Sequence, residues 1–266
     1  MSVLPDLLVV SPGAGPDAWV GEAGGPDGKR AFGGLLMAQS LSAACQTANP
    51  DMRPTAMHLQ YLRGGEGGAA TDYAVARVYD GRTAAARRVE AFQAGRLLTA
   101  ATVSFSTDLA GPEHSESRSL PEDPEQLPLT GPAGPAPAVP LDEIDIRIVD
   151  DRSSGEFVRR MWWRATVPMP PEQLPHMMIA CYITDLYGID PALQVHGHSM
   201  QGRTHRSGTT DFSIWFHHPI RADRWNLLES RSPGAGRGRG VITGSLVGAD
   251  GTRVATLVQE GLIADR

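Results

Sequence analysis

Apolar residues are spaced in two ways along this chain, and the two spacings alternate in a fixed order. Residues 35–44, Leu-Leu-Met-Ala-Gln-Ser-Leu-Ser-Ala-Ala, follow Arg30-Ala31-Phe32-Gly33-Gly34 and place apolar side chains on nearly every helical face. A helix of that kind has to be buried on most of its surface. Strand-like runs follow at 57–63, 71–79, 84–93 and 97–106, with hairpin signals at Asp80-Gly81 and Gln93-Ala94-Gly95. The order then repeats, with a strand-like run at 157–166, a helix-like stretch at 173–187, and strands at about 210–217, 225–231, 241–247 and 252–263. Ala249-Asp250-Gly251 falls about 156 residues after Gln93-Ala94-Gly95, and Phe216 about 155 after Tyr61, so two copies of one helix-plus-antiparallel-sheet unit are predicted.

Between the copies the composition breaks. Pro112, Pro121, Pro124, Pro128, Pro132, Pro135, Pro137 and Pro140 fall among Ser, Glu and Gly, a mixture that predicts an extended linker with neither ladder nor helix. The expected organisation is a first unit at 1–110, a linker at 111–142 and a second unit at 143–266. An antiparallel sheet wrapped around one buried helix, present twice and joined edge to edge, is the α+β architecture called a double hotdog. Such units bury faces and edges by association, so a homo-oligomer is expected.

Composition narrows the function classes. The 41% hydrophobic content fits a soluble globular protein, and the net charge of -6 argues against general nucleic-acid binding, which needs a concentrated positive surface. The small basic cluster Arg237-Gly238-Arg239 reads as a solvated loop or as a weak contact for the phosphates of a nucleotide-like substrate. No apolar run approaches the roughly 20 residues of a membrane span, and residues 1–10 carry Asp6 without a basic leader, so a cytoplasmic protein without membrane contact is expected. Cys45 and Cys181 lie in buried-helix patterns and read as small core residues rather than a disulfide pair.

Three polar residues stand out because their surroundings are apolar or strand-like. They are Asp185, Thr209 ahead of Asp211-Phe212-Ser213-Ile214-Trp215-Phe216-His217, and Gln259 in Val258-Gln259-Glu260-Gly261. Either they are exposed, or they satisfy one another and water, because burying them unpaired is costly. The second case describes a hydrolytic site without a Ser, Cys or metal nucleophile. Taken singly, each has a plainer reading: Asp185 as an exposed helix end, Thr209 as a strand residue bonded locally to backbone, Gln259 as a buried amide with partners. His196-Gly197-His198 and His217-His218 lack further ligands at zinc spacing, so no metal site is expected. His58 reads as a core or rim residue, and Trp162, Trp163, Trp215 and Trp225 as sheet core and interface residues. Ser153-Ser154-Gly155 lacks the Gly-x-Ser-x-Gly elbow of serine hydrolases.

Motifs spread from about Phe32 to Ile263 resemble the acyl-CoA thioesterase II family of bacteria, with its peroxisomal relatives. They are Arg30-Ala31-Phe32-Gly33-Gly34 with Gln39, Arg87-Arg88-Val89 with Gln93-Ala94-Gly95, Ala192-Leu193-Gln194-Val195-His196-Gly197, the 211–217 run, and Val258-Gln259-Glu260-Gly261. The resemblance implies hydrolysis of acyl-CoA to free acid and coenzyme A without metal or organic cofactor, by a water-activating set matching Asp185, Thr209 and Gln259. A thioester carbonyl is electrophilic enough for a positioned water with general-base help. Asp185 would take the proton, Thr209 and Gln259 would fix the water, and Gly33 and Gly34 at a helix N-terminus are candidate oxyanion donors. The sequence departs from the family at Leu35, where many relatives carry Gln, and at Gly64-Gly65-Glu66-Gly67-Gly68, which lacks the usual proline. These departures weaken an inference to long-chain substrates. Rival readings are a hotdog hydratase or dehydratase using Asp190 and His196, a carrier-protein thioesterase, and a binding paralogue without turnover.

Overall fold

A computed structural model describes residues 4–116, 120–130, 141–152 and 156–266, so Ser153-Ser154-Gly155 lies outside the described residues. In chain order the first half contains α1 (Leu4–Leu8), β1 (Ser11–Pro12), β2 (Ala18–Gly21), α2 (Gly33–Cys45), β3 (Arg53–Tyr61), β4 (Thr71–Asp80), β5 (Ala84–Gln93) and β6 (Arg96–Ser106). The second half contains β7 (Ile144–Asp151), β8 (Val158–Ala165), α3 (Gln173–Thr184), α4 (Asp190–Gln194), β9 (His205–Phe216), β10 (Asn226–Gly236), β11 (Arg239–Gly248) and β12 (Arg253–Asp265). All strands join one 12-stranded sheet in the order β1-β2-β4-β5-β6-β3-β9-β12-β11-β10-β8-β7. Read outward from its centre, each half repeats the other, and the halves meet where β3 pairs antiparallel with β9. The seam removes an exposed edge from each half. This is the double hotdog expected from the sequence.

The long helices form where the all-round apolar pattern lies. Every residue of α2 from Gly34 to Ala44 is buried, as is every residue of α3 from His176 to Thr184. The two helices pack against each other, with Leu41, Leu59, Val89, Trp163, Phe212 and Ile214 in the core around them. Close helix contact explains the glycine pair that opens α2. A Cβ on Gly34 would stand 2.3 Å from the Tyr182 carbonyl oxygen, and one on Gly33 would stand 2.5 Å from a carboxylate oxygen of Asp185. Buried Gln39 ties this bundle to the chain start, its amide donating to the carbonyls of Leu7 (2.8 Å) and Glu22 (3.1 Å) while Tyr73 donates to its Oε1 (2.8 Å).

Element ends differ from the sequence expectation for local reasons. α3 stops at Thr184 rather than 187, because Asp185 caps it and Tyr187 turns the chain with φ 59°. β3 and β9 begin earlier than expected, and α1, β1, β2, α4 and the edge strand β7 were not foreseen. Neither does the Pro-rich segment run free of structure: Pro124–Gln126 forms one 3₁₀ turn. Leu120 and Leu127 pack on Trp162, Leu227 and Val247, and Thr130 exchanges hydrogen bonds with Ile146 and Ile148 of β7 (2.8 and 2.9 Å). Trp215 is not a core residue but lies 44% exposed on the outer face, where it pairs with Ala56 across the seam between the halves. Cys181 is buried and Cys45 half-buried, both as free thiols.

Candidate active site

Asp185, Thr209 and Gln259 converge at one point. The Thr209 hydroxyl donates to Asp185 Oδ1 at 2.9 Å, and Gln259 Nε2 donates to the same oxygen at 3.3 Å and to Thr209 Oγ1. Each arrives by a separate structural device. Asp185 is the C-cap of α3. Gln259 is an inward position of β12 that alternates with Leu257 and Gly261, and it is 1% exposed. Thr209 depends on a β-bulge. Phe212, Ile214 and Phe216 are the buried side chains of β9, so strict alternation would send Thr209 to the opposite face. The register between β9 and β12 slips between Glu260 and Gly261, however, and the extra residue turns Thr209 inward. Its neighbour Thr210 remains beside Glu260 and Arg239.

Electrostatics make Asp185 a base of moderate strength. Withdrawal from water pushes its pKa from 3.8 up to about 6, against hydrogen bonds from Thr209, the Gly34 backbone N–H and Gln259, and the charge of Arg30. The helix termini oppose each other here: the carboxylate sits at the negative end of its own helix and at the positive end of α2. Tyr61, at the end of β3, donates its hydroxyl to the Gly33 carbonyl at 2.9 Å and fixes that first turn. Burial, and then the Asp185 charge, hold the Tyr61 phenol well above its usual pKa, so it stays a neutral donor. Gln259 Oε1, also buried, meets no donor among the described residues and lies against Gly188, where a Cβ would come within 2.4 Å of it.

Asp185, Thr209, Tyr61 and Gly33 border a cavity of about 490 Å³ built from both halves, and Gln259 stands behind Asp185 and Thr209 outside its lining. Phe32, Gly33, Leu36 and Tyr61 come from the first half, and Asp185, Leu186, Ile189, Met200 and Thr209 from the second. Gln93 fixes the first-half rim: its Oε1 accepts from the Glu66 N–H (2.8 Å) and its Nε2 donates to the carbonyls of Glu66 (3.0 Å) and Ala69 (3.1 Å). Glycines in the 64–68 loop let this rim lie directly on residues 27–31; a Cβ on Gly68 would meet the Asp27 backbone at 2.9 Å.

Two family models match the chain, the acyl-CoA thioesterase N-terminal domain over residues 22–106 and the acyl-CoA thioesterase C-terminal domain over residues 112–263. The chain belongs to the acyl-CoA thioesterase family. Its members are thioester hydrolases, and this enzyme is similar to human acyl-coenzyme A thioesterase 8, with 30% identity across 88% of this chain and 81% of that protein. Acyl-CoA thioesterase 2 of Haemophilus influenzae is 29% identical, with 88% of each chain covered. The solved structure of an acyl-CoA thioesterase II, TesB2, from Mycobacterium marinum superposes with a TM-score of 0.84 at 27% identity over 99% of both chains.

Other sequence candidates fall outside the thioesterase cavity. The Asp190 carboxylate is taken by Arg159 (2.9 Å), Gln194 (3.1 Å) and the Met200 N–H (2.7 Å), and exposed His196 does not border the cavity, so no Asp/His pair of the hydratase kind forms. His58 lies on the outer face, bonded to Ser213 at 2.6 Å. Arg237 and Arg239 also lie away from the cavity, Arg239 paired with Glu260 at 3.2 Å. The cations that do border it, Lys29, Arg30, Arg63 and Arg203, were missed, as was Tyr61 as a site residue. Lys29 and Arg30 are adjacent in one loop, Arg63 follows the end of β3 and Arg203 lies in another loop, where no periodicity marks them.

Proposed function

We propose that the enzyme hydrolyses acyl-CoA to a free carboxylic acid and coenzyme A, with Asp185 as general base and Thr209 and Gln259 orienting the attacking water. The observation that carries this reading is the three-way contact itself: a half-buried carboxylate with pKa about 6, held by a hydroxyl and an amide at the wall of a cavity. A base of that strength is mostly ionised at neutral pH yet basic enough to take a proton as water attacks. Thr209 and Gln259 both donate to Oδ1, so the carboxylate keeps acceptor capacity at Oδ2 for the water beside the hydrogen bond it accepts from the Gly34 N–H, and Gln259 acts by holding Asp185 and Thr209 in place.

Attack on the thioester carbon produces a tetrahedral oxyanion, and the first turn of α2 is the nearest source of donors. The Gly34 N–H is engaged by Asp185, which leaves Gly33 as the donor of the pair for the oxyanion. Collapse breaks the C–S bond, the proton held by Asp185 passes to the departing thiolate, and the carboxylate is regenerated.

Free-thiol release from short, medium, long and aromatic acyl-CoAs tests the reading. The native protein is expected to turn over at least one of them, and Asp185→Asn to lower that rate by about a hundredfold or more. Tight binding of acyl-CoA without thiol release from any of them would overturn it.

A further inference from the structure

One part of the cavity wall is built differently from the rest. Phe32, Leu36, Leu186 and Ile189 line the cavity from helices or helix ends, and all four are buried. The core fixes their side chains, as it does Phe32, whose ring meets Tyr182 edge-on with 4.9 Å between centroids. Met200 lines the same cavity from the 195–204 loop between α4 and β9. It is half-buried and packs against the cluster of Ile189, Ala192 and Ile242. A flexible thioether carried on a loop is the adjustable part of an otherwise rigid apolar lining.

A loop in that position needs an anchor, and α4 provides one. The Met200 N–H donates to Asp190 Oδ1 at 2.7 Å, while Asp190 Oδ2 accepts from Arg159 (2.9 Å) and Gln194 (3.1 Å). Arg159 of β8 is held in turn by Asp150 of β7 at 2.6 Å, and Arg152 donates to Gln194 Oε1 at 2.7 Å. Asp190 and Arg159 are both buried, so water does not compete for these charge-assisted bonds and they fix the geometry. The loop turns through Gly197 (φ 74°) and again at Arg203 (φ 50°), and the rings of His198 and His205 lie with centroids 4.6 Å apart, near its two ends. The Ala192–Gly197 motif, which takes no part in activating water, thus ties the Met200 backbone to the second-half sheet.

We infer that Met200 sets the length of straight acyl chain that the cavity accepts, and that Asp190 is the positioning residue that holds Met200 in place. The inference rests on the thioesterase reading of the cavity. The acyl chain is the apolar part of the substrate, so it gains its binding energy from apolar lining. Lys29, Arg30 and Arg63 put most of the cavity's positive charge on the first-half rim, which leaves Leu186, Ile189 and Met200 of the second half as the wall for a chain whose thioester carbon stands by Asp185 and Thr209. Each methylene in contact with that wall raises kcat/KM by roughly fourfold, and one that collides with it loses the gain. Leu186 and Ile189 are locked in the core, so the size and position of Met200 decide where the gain stops. Asp190 does not border the cavity and acts through the Met200 backbone.

The test is a profile of kcat/KM over straight-chain acyl-CoAs from butanoyl to hexadecanoyl. Met200→Ala removes Cγ, Sδ and Cε from the wall and is expected to move the optimum to chains longer by about two to four carbons, whereas Met200→Trp moves it to shorter ones. Both are expected to keep the acid limb of the pH–rate profile in place, because neither touches Asp185. Asp190→Asn frees the loop without changing the Met200 side chain. It is expected to flatten the profile, lowering the ratio between the best substrate and the next longer one by roughly fourfold, through KM rather than kcat. Should Asp190→Asn not fold, Gln194→Met, which removes one donor to the same carboxylate at similar volume, is expected to flatten the profile to a smaller extent. Unchanged profiles in both Met200 variants would overturn the inference, as would a loss of equal size at every chain length. Shifted Met200 profiles beside an unchanged one for folded Asp190→Asn would overturn the positioning role of Asp190. No thiol release by the native protein from any acyl-CoA would instead overturn the hydrolase reading on which the inference rests.

Discussion

The two halves of the sheet put opposite chemistry in equivalent places. Val103 lies between Met57 and Arg87 in the first half as Gln259 lies between Phe212 and Ile242 in the second. At the helix ends, the C-cap is exposed Gln46 on α2 and half-buried Asp185 on α3. In the first half the space by the helix end is closed by Arg87, 1% exposed, which donates to the Thr47 hydroxyl (2.8 Å), the Thr47 carbonyl (2.9 Å) and the Tyr79 carbonyl (3.0 Å). A buried cation there complements the negative end of α2. In the second half the helix ends on an anion, the ladder position is an amide bonded to it, and a cavity opens beside the anion. The first half closes one helix end for stability; the second leaves its own end polar and reactive, and borrows the positive terminus of α2 to support it.

The sharpest way to break this division is Asp185→Asn. Turnover is expected to fall about a thousandfold, near 4 kcal/mol of transition-state stabilisation. Stability is expected to move the other way. The folded pKa of Asp185, about 6, exceeds the unfolded value of 3.8, so ionisation penalises the folded state. The penalty is absent below about pH 4, grows through pH 4 to 6 and stays constant above, reaching at most about 3 kcal/mol. The variant is therefore expected to melt higher than the native protein at pH 8 and level with it at pH 4. Equal melting temperatures at both pH values would show that the carboxylate is not under strain.

Arg87→Leu probes the other half. It is expected to cost about 3 kcal/mol by leaving the Thr47 carbonyl and its companions without a donor, read as a lower urea midpoint. The acid limb of the pH–rate profile should stay in place; its displacement would mean that the halves do not divide the work. Thr209→Val is expected to slow turnover about thirtyfold, or roughly 2 kcal/mol, the worth of one hydrogen bond to a charged group. It should also move the acid limb to higher pH, because the lost hydrogen bond had lowered the Asp185 pKa. Smallest of all, Arg239→Ala on the outer face, where Arg239 and Glu260 are both exposed, is expected to change stability by no more than about 0.5 kcal/mol in thermal melting.

How much of this was legible in the sequence follows from the physics of each element. α2 and α3 declare themselves because helices apolar on every face can only be buried, and the β5–β6 hairpin because Ala94 and Gly95 take the positive φ values of 47° and 73° that its turn needs. β7 pairs on one side with β8 and is half-exposed, so it lacks a clear alternation, and α1 is too short to show a period although Leu4, Leu7 and Leu8 are all buried. The candidate site divides in the same way. Gln259 is a polar residue at an inward position, visible as an anomaly. Thr209 is marked by its polar side chain in a strand-like stretch and by the family resemblance, but not by alternation, because the bulge that turns it inward is set by pairing with Gly261. Gly33 and Gly34 were singled out as oxyanion donors at a helix N-terminus, and the crowding of Asp185 and the Tyr182 carbonyl where their side chains would stand is a further demand for glycine that only the fold reveals. The cationic rim is assembled from loops distant in sequence, a juxtaposition that only the fold creates.

The central claim is that Asp185 serves as the general base in the second half, and the pH dependence of kcat/KM for one good acyl-CoA, measured on the native protein and on Asp185→Asn, tests it most directly. The native rate is expected to rise with pH through a single inflection near 6, the value to which burial moves this carboxyl, and to level off above it. The residual rate of Asp185→Asn should show no inflection there. A variant that keeps both the inflection and most of the rate would contradict the account, placing the base on another residue.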